Sequence, residues 1–197
     1  MNFALAEMPL PLRFRPDKPM TDDELMHFCA ANELLRVERD ASGEIHLKPL
    51  AGCQTSRRNI AIISALGRWA MRDGRGEALA NAGFVLPDGS MFGAYAAWVL
   101  NERWECLVDQ DKDEFAPLCP DFVIELRSPS DNLADLEAKM ELWIANGAQV
   151  AWLIDPERQI VAIYRSGNQP EVHHHPTSVQ GSGVITGFEL VMARIWG

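Results

Sequence analysis

A chain of 197 residues, 47% of them hydrophobic, is long enough to bury one substantial core and too apolar to be mainly disordered. Its formal charge of −10 argues against a net basic surface for non-specific nucleic-acid binding, while leaving room for a local basic groove. Cys29, Cys53, Cys106 and Cys119 form no CxxC pair and no zinc-ligand spacing, so they read as reduced thiols. No run approaches the ~18 apolar residues of a membrane span. The first residues lack the basic start of a signal peptide, and Glu7 interrupts their apolar part. A cytoplasmic protein without a membrane segment is expected.

Residues 1–20 are proline-rich and read as an irregular arm, with 21–197 forming the folded domain. Thr21 and Glu24 make a capping box that starts a short helix to about Asn32. Residues 34–39 alternate like a strand, 40–43 are turn material, and 44–48 complete a hairpin. Apolar residues at helical spacing predict a long helix from Thr55 or Ser56 to Met71, stopped by the glycines at 74 and 76. Short strands follow at 82–86 and 94–99, separated by the turn Pro87-Asp88-Gly89. Residues 100–118 are polar and irregular.

Phe122–Leu126 is an apolar strand interrupted by Glu125. Ser128 and Pro129 suggest a helix start, Leu133, Leu136, Met140 and Trp143 or Ile144 line one helical face, and Asn146-Gly147 ends it. Strands at 150–154 and 160–164 are joined by residues 155–158, and Gly187–Leu190 lead into a short terminal helix. Strand, helix and strand between 121 and 154 make a crossover, so a parallel pair is expected beside antiparallel hairpins. The fold class is α/β or α+β: a mixed twisted sheet flanked by helices.

Burying an unpaired charge costs several kcal/mol, on the order of what a single substitution can lose. Glu125 therefore needs a partner, a metal or a job. Alternation puts Asp121, Val123, Glu125 and Arg127 on one face, and Phe122, Ile124 and Leu126 on the other, core, face. Asp121 and Glu125 are about 13 Å apart along the strand. They cannot share one ion whose oxygen ligands sit ~2.0–2.6 Å from it. A second metal ligand must come from another element.

Several motifs carry a resemblance over about residues 20–190. They are Met20-Thr21 at the first helix, Arg36-Val37-Glu38-Arg39 with Gly43-Glu44, and Gly52 through Arg58-Asn59. Leu86-Pro87-Asp88-Gly89, Cys119 through Arg165, and Gly187-Phe188 continue the series. The chain resembles the Uma-type family of restriction endonucleases within the PD-(D/E)xK nuclease superfamily. That resemblance implies a restriction-endonuclease-like core and DNA phosphodiester hydrolysis with Mg²⁺ or Mn²⁺. DNA is then the partner, with a homodimer left open. Glu125 matches the family's second acid, and Lys139 the lysine on the following helix. Arg127 stands where the plain E-x-K spelling has lysine, and Glu38 matches an acid of the N-terminal region.

One position departs from the family. Where the strand after Leu-Pro-Asp-Gly is expected to carry Pro-Asp, this chain has Ala94-Tyr95. A phenol titrates near ~10 against about 4 for aspartate, so at neutral pH it is a weak ligand for a hard cation. The catalytic set implied is Glu125, Lys139, Arg127 and Glu38, with Glu125 and Asp88 as metal ligands in a degenerate site. The alternative is an inactive nuclease fold serving as a nucleic-acid- or protein-binding module. Blander readings stand beside it: Glu125 as an ion-pair partner of Arg127 or Lys139, and Lys139 paired with Asp135 one turn earlier. His173 and His175 could converge from one strand face, and Arg57-Arg58 read as a solvated helix face.

Overall fold

The computed structural model describes residues 10–197. Helix α1 (Asp22–Ala31) carries the expected reciprocal cap: the Thr21 hydroxyl accepts from the Glu24 amide, and the Glu24 carboxylate accepts from the Thr21 amide. Strands β2 (Leu35–Arg39) and β3 (Ile45–Pro49) form the predicted hairpin, with Glu38 opposite His46. The arm before α1 is more ordered than its prolines suggest. Leu12–Phe14 is strand β1, paired antiparallel with β3 between Pro11 and Pro16. Proline is tolerated at the ends of an edge strand, which β1 is. Residues 1–9, the rest of the expected arm, lie outside the described residues.

Helix α2 (Cys53–Asp73) extends two residues beyond the predicted stretch at each end. It stops at Gly74, whose φ of 72° lies in the left-handed region that glycine adopts without a Cβ penalty. Strand β4 (Gly76–Ala80) was not anticipated. Its Gly-Glu-Ala-Leu-Ala sequence lacks the β-branched and aromatic residues that mark strands. Pairing makes it: β4 lies antiparallel on β7 (Ala96–Leu100). A Cβ on Gly76 would meet the Val99 carbonyl oxygen at 2.3 Å and the Trp98 ring at 2.5 Å, so only glycine fits there.

Strands β5 (Gly83–Val85) and β6 (Met91–Gly93) form a hairpin around the predicted Pro87–Gly89 turn. The strand expected at 94–99 begins two residues later, as β7, and the preceding strand β6 was not anticipated. The chain leaves the first sheet after Gly93 and enters the second at Ala96, with Tyr95 at the changeover. Two short helices, α3 (Asn101–Trp104) and α4 (Asp109–Asp113), occupy the polar stretch that follows.

Strand β8 (Phe122–Leu126) is as predicted, but helix α5 (Leu133–Ala145) starts later than Ser128-Pro129 suggested. The Ser128 amide and hydroxyl both donate to Asp131, which holds residues 128–131 in a turn. Asn132 supplies the cap, its side chain accepting from the amides of Ala134 and Asp135. Strand β9 (Val150–Asp155) runs parallel to β8, and β10 (Ile160–Tyr164) antiparallel to β9. Strand β11 (Glu171–His174) is the sheet edge, β12 (Ser178–Gln180) pairs with β13 (Glu189–Val191), and α6 (Ala193–Trp196) closes the chain.

The first sheet has the order β1-β3-β2-β6-β5, and the second β11-β10-β9-β8-β7-β4. Phe122, Ile124 and Leu126 pack with Trp98, Trp152 and Phe188 and with Leu66 and Trp69 of α2. The opposite face carries Val123 against Leu136, Met140 and Trp143 of α5. Each fully buried apolar side chain of this size contributes roughly 1.5–3 kcal/mol. The β8 strand is thus covered on both faces, and Glu125 is buried with it. Among the described residues no helix is long and apolar enough to cross a membrane.

Candidate functional site

Glu125 faces α5, on the same side of the sheet as Val123. It is 1% exposed, and the indole N–H of Trp143, one turn along α5 from Lys139, donates to its Oε1 at 3.1 Å. Lys139 comes from the buried face of α5. Its Nζ lies 2.7 Å from Glu125 Oε1, donates to Glu38 Oε1 at 2.6 Å and donates to the Gly93 carbonyl at 2.8 Å. An ammonium has three N–H donors, so these three partners use its full capacity. Glu38 belongs to β2 in the first sheet and Gly93 ends β6, so the group joins both sheets and α5.

Glu38 is 2% exposed and brings a second carboxylate to the group from another sheet. The Gly93 amide donates to it at 3.2 Å, Lys48 Nζ stands 3.7 Å from its Oε2, and Arg36 3.9 Å from Oε1. Burial pushes its carboxyl up, but Lys139, Lys48 and Arg36 more than offset this and hold it at about 2. Burial lowers the Lys139 ammonium, and Glu125 and Glu38 outweigh that, so its pKa is raised. Lys48 also reaches Asp131 at 3.4 Å. Glu38, Glu125 and Asp131 are thereby matched by Arg36, Lys48 and Lys139, three acids against three bases.

Tyr95 borders this group. The Arg36 guanidinium carbon lies 4.3 Å from the centroid of its ring, a cation–π geometry. Burial raises the phenol's pKa above its ordinary value, so the oxygen is protonated at neutral pH. Tyr95 and Arg36 line two adjoining cavities, of about 370 and 400 Å³.

Arg127 and Asp88 are not drawn into this group. Arg127 follows the end of β8 and turns to Asp155 Oδ2 at 2.8 Å and Glu157 Oε2 at 3.4 Å. Those acids end β9 and open the next turn, so the parallel β8–β9 pair sets that contact. Asp88 accepts from the Ser90 amide and hydroxyl through Oδ1, and from Asn146 Nδ2 through Oδ2 at 3.0 Å. It fastens the β5–β6 turn to the end of α5. Both oxygens are committed there, and Asp88 forms no three-donor set with Glu38 and Glu125.

The alternative partners resolve similarly. Asp135 pairs with Arg13 of the N-terminal segment, not with Lys139. Arg58 donates to the Ile195 carbonyl, tying α2 to α6, and His173 pairs with Glu171 at 2.9 Å. Trp69, Trp98, Trp143 and Trp152 are core. The described residues do contain one group of three donors within 4.8 Å of one another: Asp40, Glu44 and His46, in the β2–β3 hairpin. His46 Nε2 lies 3.2 Å from Glu44 Oε2 and 3.6 Å from Asp40 Oδ2, so this half-buried set could in principle hold a divalent ion. Sequence reading missed it because these residues sit in a turn and look like ordinary hairpin polarity.

A hard divalent cation fits the Glu38–Glu125 position poorly. The point between the carboxylates is held by an ammonium, the neighbouring Tyr95 is a neutral phenol, and the surrounding charges already cancel. An ion there would leave two positive charges uncompensated in a buried setting.

Comparison with known proteins adds the following. The model of the Uma2 family, described as "Putative restriction endonuclease", matches residues 22–193. The chain is also similar to a crystal structure of a "putative nuclease belonging to DUF820" from Anabaena variabilis ATCC 29413. That likeness has a TM-score of 0.72 at 21% identity, covering 90% of this chain and 98% of the other. No curated protein matches the chain significantly. The mixed α/β architecture is therefore a restriction-endonuclease-like core.

Proposed function

Because the chain belongs to the Uma2 family of restriction-endonuclease-like proteins, we propose that it is a nuclease-fold protein directed at DNA phosphodiesters, with a degenerate metal site and little or no hydrolytic activity. The observation that carries this reading is the bridging of Glu38 and Glu125 by Lys139 Nζ, at 2.6 and 2.7 Å. In a working site of this type two carboxylates hold Mg²⁺ or Mn²⁺, and the metal acidifies water and stabilises developing charge on the phosphate. Here both carboxylates hold an ammonium, and Tyr95 stands where the family resemblance expects the first metal-ligand aspartate. No hydrolytic step is assigned to a metal at this position.

Glu38, Glu125 and Lys139 are the residues of the proposed catalytic set that meet. Together with Asp131, Arg36 and Lys48 they form a charge-balanced group without a metal, which favours a non-catalytic, nucleic-acid-binding role over turnover. Arg127 and Asp88 have structural contacts that account for them, and we propose no catalytic part for either. The test is incubation of supercoiled plasmid with the protein and Mn²⁺. Cleavage indistinguishable from buffer is expected. Robust cleavage abolished by Glu125→Ala would show an active nuclease and overturn the reading.

A further inference from the structure

The cavity of about 370 Å³ beside Tyr95 has an unusual lining for a protein of net charge −10. Arg36 and Lys48 enter it from the first sheet, Ser128, Ser130 and Asp131 from the turn before α5, and Tyr95 from the sheet changeover. The first turn of α2, residues 53–55, closes another side. That helix is 21 residues long, its N-cap is Gly52 with no side-chain cap, and its first turn holds no acid. The opening amides of a helix have no acceptors within it, and its dipole places about half a positive charge there.

Tyr95 supplies the independent observation. It is 5% exposed, yet among the described residues its hydroxyl has no hydrogen-bond partner. Its oxygen is not among the sealed polar atoms that lack a partner: it opens on the cavity, where it can donate to an acceptor that enters. Tyr95 lines the cavity in company with two cations and a bare helix terminus. What all of these can share is an oxyanion. Asp131 is the one acid on the lining, and its carboxylate is already engaged by Ser128 and Lys48.

We propose that this cavity binds a backbone phosphate of a nucleic-acid strand directly, without a metal ion. The inference rests on the reading of the chain as directed at nucleic acid. Arg36 and Lys48 supply charge, the Tyr95 hydroxyl donates to one phosphate oxygen, and the amides at the start of α2 receive another. A divalent cation at Glu38 and Glu125 must displace an ammonium from a neutral, buried cluster. A phosphodiester adds a single negative charge at a rim still open to water, facing a helix end that partly offsets it. A tyrosine where the family resemblance expects a carboxylate thus brings neither a metal ligand nor a repulsive charge.

The experiment measures fluorescence anisotropy of a labelled single-stranded DNA oligonucleotide, with and without a 5′-phosphate, in EDTA. Wild type is compared with Lys48→Gln and Tyr95→Phe, the latter keeping the ring over Arg36, and thermal melts confirm that both fold. Binding is expected in EDTA, independent of the 5′-phosphate and unimproved by Mg²⁺. Lys48→Gln should weaken it about tenfold and flatten the plot of log affinity against log salt by roughly 0.7. Tyr95→Phe should weaken it about threefold to tenfold, the loss of one hydrogen bond. Inorganic phosphate should compete.

Oligonucleotide binding that ignores both variants and phosphate would overturn the site and leave the nucleic-acid reading standing. Binding of inorganic phosphate, seen by ³¹P line broadening and lost in Lys48→Gln, without any oligonucleotide binding would support the anion site and sink the nucleic-acid reading. Dependence on the 5′-phosphate would replace the internal phosphodiester by a strand end and overturn the occupant proposed. Mg²⁺-dependent binding lost in Glu125→Gln would overturn metal independence, and binding of neither probe would overturn both claims.

Discussion

The ammonium of Lys139 lies 2.6 Å from a carboxylate oxygen of Glu38, a residue 101 positions earlier in the chain. This contact closes the junction between the two sheets, because Glu38 belongs to the first and the α5 helix packs on the second. The same nitrogen reaches Glu125 on β8. The space between the two carboxylates is filled by a cation of the chain.

Removing that cation leaves two buried carboxylates facing one another. Lys139→Met should destabilise the fold by about 3–5 kcal/mol, the usual loss when one partner of a buried ion pair is deleted. Urea denaturation reads this directly. Mn²⁺ should then stabilise the variant more than it stabilises wild type, because the carboxylates have been released. A loss below about 1 kcal/mol would mean that Lys139 contributes no more than an exposed pair does.

Acid should act through Glu38. Its carboxyl falls from an ordinary 4.5 to about 2, because Lys139, Lys48 and Arg36 outweigh the effect of burial. A lowered folded-state pKa stabilises the protein fully above 4.5, and that contribution disappears as the pH drops through about 2. It amounts to about 3 kcal/mol. Lys139 has a raised pKa, so its contribution is complete below 10.5 and fades only above it. Stability measured in urea should therefore fall between pH 5 and about pH 2, and Glu38→Gln should flatten that fall at the cost of lower stability at pH 7.

Asp88 offers a contrast. It joins Ser90 and Asn146 at the tip of the β5–β6 hairpin, and these hydrogen bonds lower its pKa against a raising effect of burial. Asp88→Ala should cost about 1 kcal/mol, as loss of exposed turn hydrogen bonds does. It should leave affinity for Mn²⁺ unchanged. A fall in metal affinity would assign Asp88 a ligand role that its contacts do not suggest.

Elements set by neighbouring residues were readable in advance. The Thr21–Glu24 cap, the β2–β3 hairpin and the β8–α5–β9 crossover all follow local rules, and all are present. Strand β4 was invisible because Gly76–Ala80 has little strand character and exists through its partner β7. The changeover at Ala94-Tyr95 was hidden for a related reason: apolar residues run on from Met91 to Leu100 while the chain passes from one sheet to the other. The start of α5 went to Asn132 because Asp131 engages Ser128 first.

The site divided in the same way. Glu125 and Lys139 could be paired from one crossover, whereas Glu38 needed the relation between sheets. Arg127 shared a strand face with Glu125 on paper, but it lies past the end of β8, where Asp155 and Glu157 claim it. Asp88 was near Tyr95 in sequence and turned toward α5 in space.

We propose that Lys139 and Tyr95 together keep a metal ion out of the Glu38–Glu125 position. Calorimetric titration of Mn²⁺ into wild type, Tyr95→Asp and Glu125→Gln tests it most directly, with His46→Ala in every background to silence the Asp40–Glu44–His46 cluster. Negligible heat is expected from wild type and from Glu125→Gln, and an affinity raised at least about tenfold, or ~1.4 kcal/mol, in Tyr95→Asp. Micromolar binding by the wild-type site that vanishes in Glu125→Gln would contradict it.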